Sequence, residues 1–140
     1  MKKALILSLL AVCALPVAPL RAHEGHEHPA ANVAQAASAE EAWKNAETAF
    51  KAIQSAAAAK QQAQIHTEQE KLAAYLKQVQ DEATGGDKAR RDGAIKNAIT
   101  ASERVHAAAD ANDFAKVESS LKTLEATMGM VEKQLGAAAK

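Results

Sequence analysis

Apolar positions in this chain recur at alternating steps of three and four from residue 43 onward, which is the period of one face of an α-helix. Trp43, Ala46, Phe50, Ile53 and Ala57 form the first such stripe, and Ile65, Leu72, Leu76, Val79 and Ala83 the second. The second runs into Thr84-Gly85-Gly86-Asp87, where paired glycine ends a helix because it enters the left-handed region without a Cβ penalty. A third stripe of Ile95, Ala98, Ile99, Ser102, His106 and Ala109 stops near Asp110-Ala111-Asn112-Asp113. Asp113 is a natural N-cap for the fourth, whose Phe114, Val117, Leu121, Leu124, Met128, Val131 and Leu135 make the cleanest heptad in the chain.

The first helix opens at Ser38-Ala39-Glu40-Glu41, a capping box in which the serine oxygen takes the Glu41 N–H and the Glu41 carboxylate returns to the serine N–H. Between the first two stripes, Ala56 to Gln64 holds no glycine or proline. One uninterrupted helix over Ala39 to Ala83 would be about 67 Å long and would leave much of its stripe uncovered. A turn near Ala59 to Gln61 buries more apolar surface. The expected fold is therefore all-α, an up-down antiparallel four-helix bundle over residues 38–140. Many stripe positions are alanine, which favours close helix approach and gives little transfer energy per residue.

Ahead of the helices, Met1-Lys2-Lys3 supplies a positive start, Ala4 to Ala18 is an almost unbroken apolar run, and Leu20-Arg21-Ala22 offers a small residue for cleavage. The expectation is a signal peptide over 1–22, a mature chain starting at His23 and a periplasmic location, with no membrane-spanning segment left after cleavage. Valine before Cys13 argues against lipidation there. Loss of Cys13 with the leader leaves no thiol, which excludes disulfides, thiolate zinc sites, iron–sulfur clusters and covalent haem. It also lowers Lys plus Arg from 17 to 14 (17 − 3) against 17 acids, so the charge gives no reason to expect a nucleic-acid partner.

His23-Glu24-Gly25-His26-Glu27-His28 would then stand at the mature terminus, with 29–37 reading as a small, polar and flexible leash. His23, His26 and His28, with the free α-amine and the carboxylates of Glu24 and Glu27, can wrap one divalent ion. Such donors suit Cu(II), Ni(II) or Zn(II), copper being favoured by the Irving–Williams order. A second set lies in the helices. His66 stands 19 residues before Gly85 (85 − 66) and His106 stands 20 after Gly86 (106 − 86), so antiparallel pairing puts both rings at nearly one height. Glu70 is one turn from His66, and Glu103 precedes His106 by three, which makes His66, Glu70, Glu103 and His106 a sterically allowed site. The plainer reading of His106, on an apolar stripe, is a hydrogen-bonded core residue.

Met128 sits on the heptad as core filler, about 15 Å along the axis from His106, so no Met–His ligation of haem or copper(I) is expected. Met130 lies off the stripe. No nucleophile elbow, phosphate loop or dinucleotide fingerprint is present, and only one Glu-x-x-His step occurs where a di-iron bundle needs two. An enzyme is not expected.

With the leader, the terminal histidines, Trp43, Ile65-His66 and Val105-His106 in view, the chain resembles the small helical periplasmic proteins that accompany heavy-metal efflux and copper-resistance systems in Gram-negative bacteria. That resemblance implies binding, buffering or reporting of excess metal ions and a partner efflux or sensor system of the envelope; the expected function is binding of divalent copper, nickel, zinc or cobalt. The repeated Leu-Thr-x-x-Gln signature of periplasmic stress chaperones and the methionine-rich runs of copper(I) carriers are both missing. A helical interaction protein, stress chaperone or sensor without intrinsic metal function is the competing class.

Overall fold

A computed structural model describes residues 32–138, and within them the chain forms four α-helices and no strand. These are α1 (Ala39–Ala58), α2 (Gln62–Glu82), α3 (Lys88–Asp110) and α4 (Phe114–Ala138). The leader over 1–22 and the histidine cluster lie outside the described residues.

Local signals set the helix ends. Ser38 is extended and its hydroxyl oxygen accepts the Glu41 N–H at 3.2 Å. The return bond of the capping box falls one residue early, because the Glu41 carboxylate accepts from the Ala37 N–H at 2.8 Å. Asp87 caps α3 through the Arg90 N–H, and Asp113 caps α4 through the Lys116 N–H.

α1 and α2 are separate helices, divided at Ala59 to Gln61 without glycine. Lys60 takes a left-handed φ of 54°; its N–H bonds the Ala57 carbonyl while the Gln61 N–H bonds that of Ala56. This pair of bonds is the Schellman stop of a helix. α3 ends the same way, with Asn112 at φ 54° and the N–H groups of Asn112 and Asp113 on the carbonyls of Ala109 and Ala108.

The likeness of the two stops extends through the core. Buried Ala42, Ala46, Ala49, Ile53 and Ala56 recur 52 positions later (94 − 42) as buried Ala94, Ala98, Ala101, Val105 and Ala108. Ile65, Leu72, Leu76 and Val79 recur as Val117, Leu124, Met128 and Val131. The fold is thus one helical hairpin used twice. In each copy an alanine-faced helix receives the branched and long side chains of its partner, which lets the axes approach closely. The buried line of α1 runs through Ala42, Ala46, Ala49 and Ile53, one step round from the expected stripe, and leaves Trp43 and Phe50 only partly buried at its flank.

Packing is closest within the hairpins, α1 on α2 and α3 on α4. α2 and α3 join the two, and α1 barely touches α4. Gly85 and Gly86, both at positive φ, make the link between hairpins, and the buried Arg91 secures it by donating from Nη1 to the Gly85 carbonyl at 2.6 Å. Arg91 is buried, whereas its neighbours Lys88 and Arg90 are exposed. The end of the expected leash is fastened too: the Ala36 N–H donates to Gln78 Oε1 at 3.0 Å, and Gln78 Nε2 donates to the Ala34 carbonyl at 3.2 Å.

Candidate metal centre

His66 lies in the second turn of α2 and His106 in the last turns of α3, equally far from the glycine link, so the antiparallel pairing brings them face to face. Their ring centroids are 4.3 Å apart with the planes inclined at 47°. Each imidazole has a carboxylate one turn toward the helix C-terminus. His66 Nε2 lies 3.1 Å from Glu70 Oε1, and His106 Nε2 lies 2.9 Å from Asp110 Oδ2.

The direction of the Cα–Cβ bond accounts for that choice of acid. Side chains tilt toward the helix N-terminus, so Asp110 leans back over His106 while Glu103, three residues earlier, leans away. Glu103 is exposed and stands apart from the group; Asp110 holds the place that sequence spacing gave it. His66, His106 and Asp110 each offer a ligand atom, and these atoms lie within 4.8 Å of one another. A tetrahedral ion with bonds of about 2.0–2.2 Å needs its donors about 3.3–3.6 Å apart. The His106–Asp110 pair is already inside that distance, and the other separations are at most 4.8 Å. Glu70, beside His66, is a fourth candidate donor.

Behind the rings the seam between α2 and α3 is polar. His106 Nδ1 lies 3.1 Å from Gln69 Oε1. Gln69 Nε2 donates to Ser102 Oγ at 3.0 Å, and Ser102 donates in turn to the Ile99 carbonyl at 2.7 Å. Gln69, Ser102 and His106 are all buried. Unpaired, such groups would cost about 1–3 kcal/mol each, and here each has a partner.

Fifty-two positions away, the counterparts of Gln69 and Ser102 are Leu121 and Phe50. The hairpin architecture therefore has no need of polar residues at these places. Sequence reasoning missed both, since glutamine is not a usual metal ligand and Ser102 reads as a small member of an apolar stripe. Once burial aligns the two hairpins, the 52-residue repeat marks these positions, setting buried Gln69 and Ser102 opposite the apolar Leu121 and Phe50.

Met128 is buried, as its place on the heptad implies, whereas Met130 is half-exposed, and nothing in the structure explains it. No described helix is long and apolar enough to cross a membrane. Comparison with protein-family models, with curated proteins and with solved structures finds no match to this chain.

Proposed function

We propose that this protein binds divalent transition-metal ions outside the cytoplasm, buffering or presenting them for metal resistance or homeostasis rather than catalysing a reaction. The observation that carries this reading is the meeting of His66, His106 and Asp110 across the α2–α3 seam with ligand atoms within 4.8 Å. Two imidazoles and a carboxylate suit Zn(II), Cu(II), Ni(II) or Co(II), and Irving–Williams ordering favours copper among them. The terminal cluster of His23, His26 and His28, with Glu24 and Glu27, adds a second set of the same donor chemistry on the exported chain, and the resemblance to efflux-associated periplasmic proteins points the same way.

Calorimetric titration with zinc and copper tests the reading. The chain is compared with His66→Ala/His106→Ala and with His23→Ala/His26→Ala/His28→Ala. Each triple or double variant is expected to lose one class of sites and keep the other. Uptake unchanged by the helical pair of substitutions would remove the seam as a site, and metal-independent protection of an aggregating client would favour an interaction or chaperone role instead.

A further inference from the structure

We propose that Gln69 is a positioning residue that holds His106 with its hydrogen on Nδ1, so that Nε2 carries the lone pair directed at Asp110 and His66. The argument runs along the buried chain from its far end. The Ile99 carbonyl can only accept, so the Ser102 hydroxyl at 2.7 Å spends its one hydrogen there. Ser102 Oγ is then an acceptor toward Gln69, and the atom facing it at 3.0 Å is the amide nitrogen, Nε2. This sets the amide with Oε1 toward His106 Nδ1 at 3.1 Å, and an oxygen there requires a hydrogen on the ring nitrogen.

One helix carbonyl thus fixes, through two side chains and across two helices, which nitrogen of an imidazole is the donor. The competing arrangement places the hydrogen on Nε2, bonded to Asp110. It would turn the Nδ1 lone pair toward the Gln69 oxygen in the buried seam, or else reverse the amide and take the Ser102 hydrogen away from Ile99. Asp110 is 42% exposed and faces solvent, whereas Gln69 is buried at 6%. The buried partner therefore governs the tautomer.

With Nδ1–H fixed, Nε2 is the nitrogen left to face Asp110 Oδ2 at 2.9 Å, a contact bridged by a proton in the metal-free chain and open to a cation in its place. This last step rests on the metal-binding reading; the tautomer does not. Outer partners of metal-bound histidine that fix the ring in this way affect metal affinity about 10- to 100-fold.

Nitrogen-15 spectra of the full chain, recorded metal-free near pH 9 where imidazole is neutral, give the first test. His106 is expected to show Nδ1 as the hydrogen-bearing nitrogen, and hydrogen on Nε2 would overturn the proposal whatever zinc does. The second test is zinc affinity in the full chain with His23, His26 and His28 replaced by alanine. Gln69→Met, which has no acceptor, is expected to bind zinc at least tenfold more weakly, whereas Gln69→Glu, which keeps an oxygen toward Nδ1, is expected to restore affinity to within about threefold. Circular dichroism establishes that each variant is folded, and Ser102→Ala supplies a milder break in the same chain should Gln69→Met unfold. Wild-type affinity in folded Gln69→Met would overturn the positioning role. No zinc uptake by the unsubstituted helices would remove the metal-binding reading instead, and the nitrogen spectrum would then decide the tautomer alone.

Discussion

Lys60 and Asn112 share a φ of 54° at equivalent helix stops, yet the two residues tolerate it differently. A left-handed conformation costs an ordinary L-residue about 1–2 kcal/mol, and asparagine less because its side chain bonds locally. Lys60→Gly is expected to raise stability by up to about 1 kcal/mol, after the extra chain entropy of glycine is subtracted, and Asn112→Gly by less. Urea midpoints of the two variants check this, and equal shifts would speak against it. Gln69→Leu copies the residue found at the equivalent place in the second hairpin, but it strips Ser102 and His106 of a buried partner. A loss of about 1–3 kcal/mol is expected in the same assay. The two facing histidines were legible from their counts about Gly85-Gly86, since antiparallel helices rise at the same rate. Asp110 was not, because a helix-ending aspartate looks like a stop signal and only the backward tilt of its side chain reveals it as the partner of His106.

Among the helices, the alanine content explains both what could be read in advance and what could not. Stripe spacing, the capping serine, the Asp113 cap and the paired glycine locate all four helices, and a turn near Ala59 to Gln61 follows from the need to cover a long stripe. The hairpin repeat stayed hidden. Alanine fills most buried positions of α1 and α3 and also many exposed ones, so identity alone does not mark the core, and only burial aligns Ala42 with Ala94 or Ala49 with Ala101. The same composition places the apolar driving force on α2 and α4. Leu72→Ala, at a fully buried position, is expected to cost about 2–5 kcal/mol, and Leu121→Ala, at a partly buried one, distinctly less. Ser38→Ala removes the side-chain cap of α1 and is expected to cost about 1 kcal/mol. Chemical denaturation ranks the three, and a Leu121 effect as large as that of Leu72 would contradict the burial pattern.

For the molecule as a unit, a ligand that binds only the folded state stabilises it by mass action, by about 2.7 kcal/mol at one hundred times its dissociation constant. Zinc is expected to raise the melting temperature of the full chain and to leave His66→Ala/His106→Ala with only the contribution of other sites. An equal rise in both would place the stabilising ion elsewhere. Hydrogen exchange refines the test, since local openings occur where contacts are fewest.

The two hairpins meet chiefly along α2 and α3, with α1 and α4 all but apart. The molecule is therefore built like a book with one spine, and His66 and His106 stand on facing pages of it. An ion held between them would act as a clasp: it would slow amide exchange along both inner helices more than along the outer pair, and its removal by a chelator would return the inner helices to the exchange rates of the metal-free chain.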